Sequence, residues 1–516
     1  MSTTAERAAA QRRFTLGKKA LDEVDDRFGS SKWLVSVLDK IFPDHWSFMV
    51  GEIAMDSLII LIFTGIYLAL FYVPSQKDVV YAGAPGHVYA PLVGQHVSEA
   101  YASVLNITFN VKFGLIMRQA HHWAALIFLA AIFFHMGRIF FTGAFRKPRE
   151  INWIIGLLLW QIASLEGFTG YSLPDDLLSG TGLRVIYSII ESIPFNIGTW
   201  LAYLLWGGRY PGTVFFERMF VIHEFIFPLL IVGLLTAHLM ILWRQKHTDF
   251  PGPDKTETNI KGTRFFPTFV LKSGGLMMLV GAVTFFLGGF VQINPIWLYG
   301  PYTPYTVSAG AQPDWYLAWL DGDLRLFPHW EFRSFGVEIP NPFFPGLLIP
   351  AIIFAIMFAW PAIDRRIYKD YGSHNLLDRP RDKPFRTALG VAAIVFFSDL
   401  TLGTGADIIA NDTHIPWERL VEILQIGLIV GPVVGFAIAY RACKSLQRTD
   451  AHPIQRPLGG IIYRTADGAY HTLGEDHGDG HAGAVEHAGG NGHGDHPRAS
   501  EDARRTEGTV PAKPQD

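Results

Sequence analysis

Residues 115–141 read LIMRQAHHWAALIFLAAIFFHMGRIFF, and residues 217–243 read ERMFVIHEFIFPLLIVGLLTAHLMILW. Each run is long enough to cross the roughly 30 Å hydrocarbon core of a bilayer as a helix. Each also carries widely spaced histidines: His121, His122 and His135 in the first, His223 and His238 in the second. An imidazole inside a membrane is costly and usually has a functional reason to be there. His121 and His135 are 14 residues apart, which at about 100° per residue puts them within about 40° of one helix face. His122, 13 before His135, lands roughly 140° away and points elsewhere. His223 and His238 are 15 apart, about 60° off a common line but still on one side of their helix.

Six more apolar runs lie near 48–73, 151–172, 271–293, 344–364, 384–403 and 417–441. Backbone polar groups in lipid must be satisfied within the segment, so all eight are expected to be helices. The run 384–403 is the shortest and carries Asp399. The fold class expected is therefore an all-α polytopic membrane protein with eight transmembrane helices, the first four bundled around the paired histidines. A chain of 516 residues with 49% apolar content is too long and too greasy for one ordinary soluble domain. The net charge of −3 and the absence of a basic patch give no sign of nucleic-acid binding. Cys443 is the only cysteine, which excludes an intrachain disulfide, a cysteine-ligated iron–sulfur cluster and a CxxCH haem attachment.

Lys and Arg crowd into alternate connections. The segment before the first run carries Arg7, Arg12, Arg13, Lys18, Lys19, Arg27, Lys32 and Lys40; the second connection has Arg146, Lys147 and Arg149; the fourth and sixth are equally basic. The stretches 74–114, 173–216 and 294–343 hold only two such residues each. The positive-inside rule then puts both termini in the cytoplasm and the odd connections outside. No cleaved signal peptide is expected, because the start of the chain reads charged. Four regions follow: a cytoplasmic segment 1–47, a helical bundle 48–243, a C-terminal helical region 244–441 with the outer loop 294–343, and a polar tail 442–516. The tail is rich in Gly and His and is expected to stay solvated, disordered and cytoplasmic.

Runs 115–141 and 217–243 both point from outside to inside. His121 and His223 should therefore share an outer depth, and His135 and His238 an inner depth roughly 21 Å away. Two opposed imidazoles at each of two levels is what bis-histidine ligation of two stacked b-type haems requires, since each iron takes two axial nitrogens. Arg118 and Arg138 lie on the faces of His121 and His135, toward the nearer membrane surface, where haem propionates would sit. Gly51 and Gly65 in the first span, and Gly156 and Gly170 in the third, repeat the 14-residue spacing. By depth Gly51 and Gly156 match the inner level, Gly65 and Gly170 the outer, and the missing Cβ atoms would let a flat macrocycle approach the backbone.

The motifs RQAH (118–121), HMGR (135–138), FTGYSLP (168–174), SIP (192–194) and PDWY (313–316) together resemble the cytochrome b subunit of quinol–cytochrome c reductases, over about residues 40–440. The family's usual PEWY is PDWY here, and DDLL follows SLP where WGQ is common. The histidine spacing of 15 and the polar tail resemble actinobacterial versions. The resemblance implies two non-covalent haems b, with His121 and His223 on the outer iron and His135 and His238 on the inner. It implies a quinol, in the actinobacterial type menaquinol, oxidised at an outer site around Pro313, Asp314, Trp315 and Tyr316, with Asp314 and Tyr316 catalytic. One electron would pass through the haems to a quinone at an inner site, coupled to proton translocation. Arg244, His247 and Lys272, at the inner ends of spans four and five, are candidates for that site. The implied partners are a Rieske-type iron–sulfur subunit, a dihaem cytochrome c subunit, a cytochrome oxidase in a supercomplex and a second copy of the complex, in a bacterial plasma membrane. The residues alone leave two other readings open: the dihaem anchor of another dehydrogenase, and a haem-free proton-coupled transporter.

Overall fold

The computed structural model describes residues 22–451, apart from 24, 28, 84–88, 253–254, 259–260 and 307–310, together with 461–464 and 470–473. Among these residues eight helices are long and apolar enough to cross a membrane: Trp46–Ala69, Gly114–Thr142, Glu150–Ser172, Phe215–Gln245, Phe265–Phe290, Phe344–Tyr368, Pro384–Thr404 and Trp417–Arg448. They are spans one to eight below. The protein is thus an all-α polytopic membrane protein, and each expected apolar run corresponds to one of these helices. Span seven accommodates Asp399 by setting it against Gly427 of span eight, where an added Cβ would lie 2.9 Å from the carboxylate oxygens.

Spans one to four share a core. Ala54 and Leu58 of span one, Phe128, Leu129 and Ala131 of span two, Ala163 of span three and Ile231 of span four are buried together with Tyr316. Span five packs outside spans one and two through Ile60, Ala124 and Val280. Spans seven and eight pair, and the helix Trp315–Leu326 from the loop 294–343 lies against them through Leu326, Leu400, Leu420 and Leu424. That contact is close enough for a Cβ on Gly322 to overlap the Leu400 carbonyl.

The departure from WGQ after SLP has a local explanation. Asp176 is fully buried and accepts from the backbone amides of Leu178 (3.1 Å) and Ser179 (3.5 Å), capping the helix Leu177–Glu191. An acidic N-cap also complements the positive end of the helix dipole. Asp175, at φ 54°, accepts through its carbonyl from Tyr302 (3.0 Å), and burial pushes its carboxyl up to about 7. The acidic pair thus ends span three, starts a new helix and anchors the loop that carries Asp314.

At the opposite end, three basic connections fold onto one another. Arg146 reaches Asp378 (3.1 Å) and the Leu376 carbonyl (2.8 Å). Arg149 donates to Asn375 Oδ1 (2.8 Å) and the Lys246 carbonyl (3.0 Å). Asp249 and residues 375–377 exchange backbone hydrogen bonds. Arg386, counted from sequence with the sixth connection, instead lies in the first turn of span seven, fully buried, bonded to Asp378 (2.7 Å) and Asp364 (3.4 Å).

Met1–His452 forms one compact unit and Pro453–Asp516 a second. In the second, Ile461–Arg464 pairs antiparallel with Tyr470–Leu473. His477, His481, His487, His493 and His496 lie outside the described residues.

Candidate functional site

The four spaced histidines come together in two pairs. The rings of His121 and His223 are 6.3 Å apart between centres, at 72°, and those of His135 and His238 are 6.5 Å apart, at 68°. Two metal–imidazole bonds of about 2.0 Å and two ring radii of about 1.2 Å would place ring centres about 6.4 Å apart. The 15-residue spacing in span four is absorbed by a π-helical turn, Ile222–Ile226, which contains His223. Such a turn takes in one extra residue without the extra 100° of rotation. Fifteen residues therefore turn as 14 do, and His223 and His238 recover the alignment of His121 and His135.

The glycines face these rings level by level. A Cβ on Gly170 would lie 2.5 Å from the His223 ring and one on Gly65 3.3 Å from His121; Gly51 and Gly156 meet His135 (3.1 Å) and His238 (3.8 Å). Arg118 is buried and uses one nitrogen on the Asn294 carbonyl (3.2 Å), leaving Nε and Nη2 without partners. Arg138 lies over the Phe48 ring, 4.7 Å from its centre, with Nε and Nη1 buried and unpartnered. Buried guanidinium nitrogens without acceptors are expensive. Acid groups such as the propionates of a haem would supply the missing acceptors. Ring spacing, glycine cradle and orphaned arginine donors all fit the group.

A cavity of about 390 Å³ takes in the His121–His223 pair with Gly65, Gly170 and Arg118, and reaches past Glu166 to His122, Tyr171, Asp314 and Tyr316 among mostly apolar neighbours. Asp314 occupies the N-cap position of the helix Trp315–Leu326 but does not cap it. Its carboxylate instead meets His122 Nε2 at 2.9 and 3.1 Å and accepts from the Tyr316 hydroxyl at 3.4 Å. Tyr316 is buried against Gly167, where its hydroxyl leaves no room for a Cβ, and burial and Asp314 push the phenol upward. Trp315 is half exposed, with its ring 6.1 Å from that of Tyr316, and Pro313 is partly buried beside them.

His122 points away from His135, as its angle implied, but its partner lies 192 residues on and no local pattern announced it. Glu166 was also missed: its Oε1 is 3.2 Å from His223 Nδ1. An acidic residue inside the apolar run 151–172 was the available clue.

At the other level, His247 packs on Phe42 (4.4 Å between ring centres) in an aromatic group with Trp243, Phe265 and Phe269. Burial, reinforced by Lys40, Arg149 and Arg138, pushes His247 down to about 4, so the ring is neutral at pH 7. Lys272 pairs with Asp44 at 2.7 Å, and Arg244 is exposed. Of the three inner candidates only His247 joins the aromatic group.

Residues 126–301 match the family model described as cytochrome b (N-terminal)/b6/petB. The chain is 48% identical over 454 residues to the cytochrome bc1 complex cytochrome b subunit of Mycobacterium leprae, covering 88% of this chain and 81% of that one. To the subunits of the same name from Corynebacterium diphtheriae and Streptomyces coelicolor it is 45% and 44% identical, over 87% and 91% of its length and 82% and 86% of theirs. A solved chain titled hyperthermophilic respiratory Complex III shares the fold, with a TM-score of 0.60 over 81% of this chain and 99% of that one at 22% identity. With relatives this similar over most of its length, the chain belongs to the cytochrome b subunits of the cytochrome bc1 complex.

Proposed function

We propose that this subunit holds two haems b, one between His121 and His223 and one between His135 and His238, and oxidises a quinol where the cavity around the first pair reaches Asp314. The observation that carries this is the pair of imidazole couples at 6.3 and 6.5 Å. When bound, the two haems supply one-electron transfer across the membrane. Arg118 and Arg138 would pair with their propionates, and Gly51, Gly65, Gly156 and Gly170 leave room for the four histidine rings that would hold them. The apolar cavity wall keeps bulk water from the quinol, and Asp314 takes a proton from its hydroxyl. His122 and Tyr316 hold the Asp314 carboxylate toward the cavity. A quinone is reduced at the far level, where His247 and its aromatic neighbours are the best-supported contacts and Lys272 lies at the edge.

On this reading 48–243 is the haem bundle, 244–441 supplies the quinol-site loop, both termini are cytoplasmic and the membrane is the bacterial plasma membrane. Resemblance to actinobacterial relatives favours menaquinol as substrate. It also favours an iron–sulfur subunit and a dihaem cytochrome c as partners, within a dimeric complex that associates with an oxidase. A reduced-minus-oxidised spectrum of the purified complex should show two b-type components. His121→Ala should remove one and His135→Ala the other, while His122→Ala keeps both. Loss of a haem from the His122 variant would sink the ligand assignment.

A further inference from the structure

The four paired histidines are not held alike on the nitrogen that faces away from the partner ring. His121 Nδ1 meets the Thr64 hydroxyl at 2.9 Å. His135 Nδ1 is buried with no hydrogen-bond partner. His223 Nδ1 is surrounded: Thr169 Oγ1 at 3.0 Å, the Glu166 carbonyl at 3.1 Å and the Glu166 carboxylate Oε1 at 3.2 Å. Among the described residues His223 is the only one of the four within 4 Å of a carboxylate. Both side chains are largely buried, 13% exposed for His223 and 19% for Glu166. The remaining Glu166 oxygen, Oε2, is buried without a partner. The backbone turn from Glu166 to Gly170 also presses its two glycines on Tyr316 and on the His223 ring, so the carboxylate has little freedom to turn away.

We infer that Glu166 is a positioning residue for His223 that biases the outer haem toward its oxidised state, leaving the inner haem untouched. The inference rests on the ligand assignment proposed above. An imidazole bound to a metal through one nitrogen carries its proton on the other, and the acceptor found there sets the ring's orientation and its basicity. A carboxylate acceptor pulls that proton harder than a hydroxyl or a carbonyl does. The ring becomes a stronger donor to the metal and favours the higher-charged oxidation state. The low-dielectric wall of the cavity magnifies the effect. The asymmetry is built into one level only, because neither His135 nor His238 has a carboxylate at its Nδ1.

Redox titration of the purified complex, followed by the optical bands of the two haems, tests this. Glu166→Gln should raise the outer midpoint by about tenfold in the oxidised-to-reduced ratio, which is about 59 mV for one electron, with the inner midpoint unmoved. Glu166→Asp, which keeps the charge, should fall between Gln and the parent. Glu224 also lines the cavity, so Glu224→Gln removes a like charge without touching the His223 hydrogen bond and should shift the outer midpoint less. Should Gln block insertion of the outer haem, Glu166→Ser makes the same comparison. An unchanged outer midpoint in these variants, or equal shifts from positions 166 and 224, overturns the inference while leaving the ligand assignment standing. A parent complex without two b-type components would overturn both.

Discussion

Asp314 stands at a helix N-terminus yet turns its carboxylate to a histidine and a phenol. If it accepts the quinol proton, Asp314→Asn should slow quinol–cytochrome c reduction by about 10²–10⁴-fold while the haem spectrum is kept. Asp314→Glu, the family's commoner residue, should retain far more activity. An Asn variant that turns over like the parent would reduce Asp314 to a loop residue. His247 gives a pH prediction at the other level. Its folded pKa, pushed down to about 4, lies below the ordinary 6.5. Between those values the unfolded chain binds the extra proton, so this ring's contribution to stability is present above about pH 6.5 and is lost as pH falls toward 4. Thermal melts of the complex should lose part of their acid sensitivity in His247→Phe; an unchanged profile would count against a neutral, buried His247. At this scale the meeting of the histidines with one another and with the glycines was legible, because both sets repeat at helical spacings. His122's link to Asp314 was not, since it joins residues far apart in the chain, and Glu166 was passed over inside an apolar run.

Hydropathy marks all eight helices because lipid leaves the backbone no alternative to internal hydrogen bonds. What it could not show was the shape of span four. Its 15-residue histidine spacing read as a skewed pair, whereas the π turn Ile222–Ile226 cancels the skew. This gives a sharp test. Deleting Phe225, an exposed residue within the turn, should let the helix continue as regular α and keep both haems. Deleting Leu234 from the regular part should rotate one histidine by about 100° relative to the other and cost a haem. Equal haem content in the two deletions would mean that the π turn does not set the alignment. The helices Trp315–Leu326 and Leu177–Glu191 show a different limit. Their tight glycine contacts, Gly322 on Leu400 and Gly180 on Tyr302, depend on partners in other segments, so apolar content alone gave only a loop.

For the molecule as a whole, the alternation of basic and basic-poor connections is matched by geometry: residues 143–149, 246–249 and 374–378 meet at one end. A topology reporter fused after Arg381 should be active only on the cytoplasmic side, and one near Pro313 only outside; both on one side would break the depth matching. The charge pattern set the basic connections apart from the others but did not give their mutual contacts. The contacts at the basic end also impose an order on synthesis. Asn375, to which Arg149 donates, follows it by 226 residues, and at about 5–20 residues per second the ribosome needs roughly 10–50 s to cover that distance. Arg146 and Arg149 must wait that long for the segment 374–378. Arg386 is the opposite case: it is fully buried, and its partners Asp364 and Asp378 are both made before it. The nascent chain therefore never has to hold its most deeply buried arginine in this region without an acid already in place.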